Sequence, residues 1–181
     1  MKVVLDACVL FPTVLRSLLI GLAARDGFTP VWSARILAEW QRAAARLGPE
    51  GAQIASHEIA ALRRAWAAAE TPPDPLTEAR IALPDPADAH VVATAITAQA
   101  PLIVTLNLRD FPARALAADG LRAQGPDAFL IEHWLVQPTQ IAEIARDVQR
   151  ATERASRRPQ PLRALLRRAK LPRLGKALDP G

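Results

Sequence analysis

At 181 residues the chain is long enough for one domain with a substantial core and an appendage, and too short for two full domains without crowding. Half of the residues are hydrophobic, dominated by Ala, Leu, Val and Ile, with four Phe, four Trp and no Tyr, which excludes disorder as the state of most of the chain. The formal net charge of +5 is unevenly spread: residues 1–145 carry 12 Lys/Arg against 15 Asp/Glu, and residues 146–181 carry 11 against 3, so the basic end either meets a polyanion or forms a solvated helix face.

The lone Cys8 excludes an internal disulfide, fits a reducing compartment, and is expected as a small buried residue beside Asp6. Asp6 interrupts the first apolar run, so no secretory leader is expected there. No uninterrupted apolar stretch has the length of a membrane span, and the expectation is a soluble, cytoplasmic protein with no membrane association.

Lys2 to Leu5 reads as a short buried strand, followed by a break near Phe11-Pro12 and a helix through Val14, Leu15, Leu18, Leu19 and Leu22, with Gly27 as its end. Thr29 to Trp32 reads as extended, and Ser33 is a good N-cap for a helix carrying Ile36, Leu37, Glu39 and Trp40. An Ala-rich helix is expected over Gln53 to Glu70, a proline break over Thr71 to Pro75, and a short helix or turn near Leu76 to Ile81. Asp85-Pro86 is a strong helix start for Ala87 to Gln99, and Leu102 to Thr105 is a second buried strand. From Asp127 onward the apolar spacing predicts helices, then an Arg-rich stretch and a short amphipathic segment around Leu162 to Leu171. Strand alternating with helix predicts a central parallel sheet over residues 1–125, with residues 126–181 as a basic helical extension.

Asp6 and Asp110 follow the two strands, at the edge of a parallel sheet where ligands bind. Glu39 and Asp88 lie on helical stretches. Carboxylates gathered in one crevice repel each other unless a cation sits among them, and an oxygen-rich set suits Mg²⁺ or Mn²⁺, the chemistry of a metal-dependent nuclease. Each acid also has a plainer reading. Asp6 could cap the helix after it, Glu39 could be a solvated helix charge, Asp85 and Asp88 could serve the helix dipole, and Thr105, Asn107 and Asp110 could form a polar turn. Asp85 reads as the N-cap that supports Asp88, and Thr105 and Asn107 can hydrogen-bond a bound water or phosphate. An aspartyl-phosphate route is disfavoured, because Cys8 stands where a second carboxylate is needed. His57, His90 and His133 are too far apart for a zinc set, with His90 expected as a polar surface or interface residue beside Asp88. Trp32, Trp40, Trp66 and Trp134 read as core or interface anchors.

The elements Val4-Leu5-Asp6-Ala7, Ile36 to Trp40, Asp85 to Ala93 and Val104 to Pro112 resemble, in order and spacing, those of PIN-domain ribonucleases, especially VapC-type toxins of bacterial toxin–antitoxin pairs. The resemblance covers about residues 1–125, and the helical tail is similar to the extension of a longer subgroup. It implies a three-layer α/β/α fold, a Mg²⁺- or Mn²⁺-dependent endoribonuclease site, frequent homodimers, an RNA substrate and a cognate antitoxin. By motif, Asp6, Glu39 and Asp88 match the core acidic triad. At the fourth position many members have an aspartate where this chain has Asn107, followed by Asp110. The competing readings are an inactive RNA- or protein-binding module of this fold and a DNA-directed structure-specific nuclease.

Overall fold

The computed structural model describes residues 1–179. Strand β1 (Lys2–Leu5) runs straight into a four-residue helix, α1 (Ala7–Leu10), and α2 (Thr13–Ala23) follows. Then come β2 (Thr29–Val31), α3 (Ala34–Ala45), α4 (Pro49–Ala65) and α5 (Pro75–Arg80). A 3-10 turn at Pro86–Asp88 leads into α6 (Ala89–Ala98), β3 (Leu102–Val104), α7 (Ala113–Leu116) and β4 (Arg122–Gln124). The chain continues through α8 (Pro126–Val136), α9 (Pro138–Ser156), α10 (Leu162–Arg168) and α11 (Pro172–Leu178).

The four strands form one all-parallel sheet in the order β2-β1-β3-β4. This is the expected α/β/α class with a C-terminal helical extension. Val3, Val4 and Leu5 of β1 and Leu102, Ile103 and Val104 of β3 are fully buried, as central parallel strands covered on both faces must be. Helix α6 packs on β1 and β3. Because β1 has β2 on one side and β3 on the other, the strand order reverses there, and the crevice at the carboxyl ends opens beside Asp6.

Two compact units make up the chain. The first takes Met1–Phe11 and Phe28–Gln124, and holds the whole sheet. Within it, α3 and α4 are joined at Gly48, whose φ of 103° is a backbone state that side-chain-bearing residues rarely adopt. The second takes Pro12–Gly27 and the residues from Gly125. There α2 lies against α9, where a Cβ on Gly21 would come within 2.9 Å of Ile144 Cγ2. Arg25 joins the same pair, donating to Glu143 Oε2 at 2.9 Å and to Asp147 Oδ2 at 3.3 Å. Asp127 caps α11 by accepting from the Arg173 and Leu174 N–H groups at 2.9 and 3.0 Å. Leu165, Leu166, Leu171 and Leu174 are buried, so the basic end has an apolar core of its own.

Several sequence expectations shift. The Ala-rich helix spans Pro49–Ala65 and not Gln53 to Glu70, and Glu70 instead bridges to Trp32. Helix α2 stops at Ala23, before the Gly27 expected as its end, and Asp26 takes the left-handed conformation. Of the tryptophans, Trp32 and Trp40 are core residues, whereas Trp66 and Trp134 are half-buried.

Since Ile103 is buried between Val4 and Ala123 in the middle of the sheet, Ile103→Ala is expected to cost about 2–5 kcal/mol, read as a lower urea midpoint at unchanged slope.

Candidate metal centre

Asp6 is delivered by the ladder itself. Its N–H donates to Val104 O at 3.2 Å, one step past the last β1–β3 pair. It occupies the N-cap position of α1 through its carbonyl, which accepts from Val9 and Leu10, while its side chain makes no cap bond. The carboxylate is therefore free for another use, although only 5% of the residue is exposed. Thr105, fully buried at the end of β3, donates from Oγ1 to Asp6 Oδ2 at 2.7 Å, and the Cys8 thiol donates to the same oxygen at 3.1 Å. The Asn107 N–H donates to Thr105 Oγ1 at 3.0 Å and the Leu106 N–H to Cys8 Sγ at 3.2 Å, so the loop after β3 locks both donors. Burial, then the Asp6 charge, pushes the Cys8 thiol up to about 12, which keeps it neutral and removes it as a nucleophile.

Glu39 comes from α3, whose N-cap Ser33 accepts from the Ile36 N–H at 3.3 Å. Ile36, Leu37 and Trp40 are buried around it, so the glutamate rides on the edge of the packed face. Asp88 closes the 3-10 turn before α6. Asp85 is the cap there, accepting from the Ala87 N–H at 2.9 Å, while the Asp88 side chain makes no capping bond.

These three acids line one open crevice of about 490 Å³, together with Cys8, Phe11, Arg42, Arg46 and Asn107. Asp110 is not among the residues that line it. It lies on the loop after β3 with Arg109 Nε 3.5 Å from Oδ1. Its charge nonetheless reaches Asp88. Desolvation raises the Asp88 pKa from its ordinary 3.8 to about 6, with further upward contributions from Asp6, Asp85, Asp110 and Glu39 in that order.

Sequence reasoning misplaced His90. It is fully buried on α6, with Nε2 2.9 Å from Glu39 Oε1, and is not a surface residue. The signal was present: Ala89–Ala98 is apolar apart from His90 and two threonines, so the whole girth of the helix is buried at its start.

The donor set fits a hard divalent cation, because three carboxylates and one amide oxygen share the crevice and no nitrogen or sulfur ligand set competes. Among the described residues no three His, Cys, Asp or Glu side chains form a group placed to hold a metal ion. A Mg²⁺-like ion keeps several waters and takes only one or two carboxylates.

In comparisons with known proteins, the family model described as PIN domain matches residues 2–109, a stretch that contains the sheet strands β1 to β3 and all of Asp6, Glu39, Asp88 and Asn107. No curated protein and no solved structure matches the chain.

The raised Asp88 pKa sets a stability test. Between about pH 4 and about pH 6 the folded protein holds that proton more tightly than the unfolded chain, so stability falls as pH rises through the window. Metal-free Asp88→Asn should therefore be more stable than the parent at pH 7.5, by on the order of 1 kcal/mol after discounting for solvent screening, with the gap closing near pH 4. Thermal melts of both proteins across this range measure it.

Proposed function

This chain belongs to the PIN-domain family, whose members are generally metal-dependent nucleases, and from that premise we propose that it is an endoribonuclease that hydrolyses RNA phosphodiester bonds with Mg²⁺ or Mn²⁺. The observation that carries this reading is the convergence of Asp6, Glu39 and Asp88, from three separate segments, on one solvent-open crevice.

Asp6 and Asp88 would hold the cation, and Glu39 would hold it or orient the attacking water. When bound, the ion supplies positive charge that activates water and stabilises the leaving oxygen. Asp6 presents Oδ1, since both of its donors sit on Oδ2. Asn107 lines the crevice, Thr105 lies buried behind it and accepts from the Asn107 N–H, and Asp110 adds negative charge from the loop beyond. Arg42 and Arg46, one helical turn apart near the end of α3, put two positive charges on the wall of the crevice, where a substrate phosphate enters.

The finer reading is the toxin of a toxin–antitoxin pair, acting in the cytoplasm as a homodimer and restrained by a cognate antitoxin. Its support is the order and spacing of the four motifs. Among the described residues no helix is long and apolar enough to cross a membrane. An antitoxin-sized reading frame immediately upstream, and growth arrest relieved by expressing its product, would test the pairing directly.

Incubation of the purified protein with total RNA and Mg²⁺ should yield defined new ends. Asp6→Asn and Asp88→Asn should each lower cleavage by two orders of magnitude or more, on the order of what losing a directly acting group costs, with unchanged far-UV circular dichroism. Full cleavage by both variants refutes the assignment. Cleavage of structured DNA in place of RNA points to the other nuclease class, and binding of RNA with no cleavage points to an inactive module.

Arg42→Ala and Arg46→Ala should each weaken RNA binding across sequences and flatten the plot of log affinity against log salt by about 0.7. An unchanged slope in both removes these arginines from the RNA path.

A further inference from the structure

Glu39 is surrounded by three nitrogen groups, and all of them approach the same oxygen. His90 Nε2 lies 2.9 Å from Oε1, Arg42 Nη2 3.6 Å and Arg35 Nε 3.8 Å. The two arginines are 62% and 45% exposed, so water screens their attraction, and Arg35 is already engaged with Glu78 at 2.8 Å and with the Ala87 carbonyl at 3.2 Å. His90 differs in kind because it is 0% exposed. Neither of its ring nitrogens makes a well-angled hydrogen bond among the described residues, so the Glu39 carboxylate is the polar group it faces most closely. A buried imidazole requires a partner, and the Glu39 carboxylate oxygen lies within hydrogen-bonding distance of Nε2, at 2.9 Å.

Resting on the nuclease reading above, we propose that His90 is a positioning residue: its Nε2–H holds Glu39 Oε1 and thereby presents Oε2 to the cation or its bound water. The backbone that carries the ring is itself held. It stands on the first turn of α6, two residues after Asp88, and its backbone carbonyl accepts from Thr94 Oγ1 at 2.7 Å. One short helix thus sets both the Asp88 carboxylate and the group that aims Glu39. Asp6 is arranged in the same way, with Oδ2 pinned by Thr105 and Cys8. A carboxylate with one oxygen tied down loses its freedom to rotate, which is how a supporting shell sharpens a binding site. His90 touches neither substrate nor cation in this arrangement, and its effect runs through Glu39.

The test compares His90→Leu, which keeps the volume and removes the donor, with His90→Gln, which keeps a donor of similar reach, and with Glu39→Gln. In the metal-free parent protein, imidazole ¹⁵N spectra should show His90 Nε2 protonated, with a shift that moves in Glu39→Gln. A ring protonated at Nδ1 alone overturns the proposal whatever the variants do. Titration with Mn²⁺ in the absence of RNA should show roughly 10- to 100-fold weaker binding for His90→Leu, most of it regained in His90→Gln. Mg²⁺-dependent RNA cleavage should fall in kcat by a similar factor with little change in KM. The double variant His90→Leu/Glu39→Gln should be no worse than Glu39→Gln alone, since the histidine acts through the glutamate. Additive losses, or parent-like Mn²⁺ affinity in folded His90→Leu, would assign His90 to packing only. Should the parent protein bind Mn²⁺ but leave RNA intact, the ribonuclease reading fails while the spectra and the metal titration still decide the role of His90.

Discussion

Like charges held in one half-dry crevice are the constraint on which the candidate site rests. Left to itself, such a set pushes the chain apart, and Asp88 records the pressure: its carboxyl is raised to about 6, by desolvation first and by four neighbouring acids after it. A fold tolerates that arrangement only if its backbone is fixed by something else. Here the fixing elements are the pairing of β1 with β3, which extends one bond further from Asp6 to Val104, and the cap of Asp85 on the turn that carries Asp88. The local instability is useful to a cation site, because a divalent ion that enters the crevice removes the repulsion as it binds.

The acids differ in the groups that accompany them. Asp6 is the most enclosed, yet it has two donors on one oxygen, and its charge is the strongest of the neighbouring acids on Asp88. Glu39 has three nitrogen groups gathered on its Oε1. The Asp88 side chain makes no capping bond, and burial raises its carboxyl to about 6.

What could be read from the sequence divides along the same physical line. Strands β1 and β3 were legible because burial on both faces writes an unbroken apolar run, and the acids were legible because they stand at the ends of those runs or at a helix start. Strand β4 was not, since Arg122, Ala123 and Gln124 form an edge strand whose side chains are polar or small. Helix α1 was hidden for another reason: four residues carry too little periodicity to register. Distances between segments left no trace at all. That Thr105 would reach Asp6 across ninety-nine positions, or that the buried His90 would meet Glu39 in particular, depends on sheet register and helix placement that no local pattern encodes.

The amide at position 107 has a consequence of the same kind. Asn107 lines the crevice, while Asp110, the alternative fourth acid, stands back on the loop beside Arg109. An aspartate at 107 would set a fourth negative charge on the crevice wall and drive the Asp88 proton affinity higher still. The amide instead contributes one neutral acceptor and two N–H donors, groups able to serve a cation's water shell or a phosphate oxygen without adding to the repulsion. Three acids, Asn107, Arg42 and Arg46 thus share the crevice wall, so its negative charge is partly offset by the protein itself.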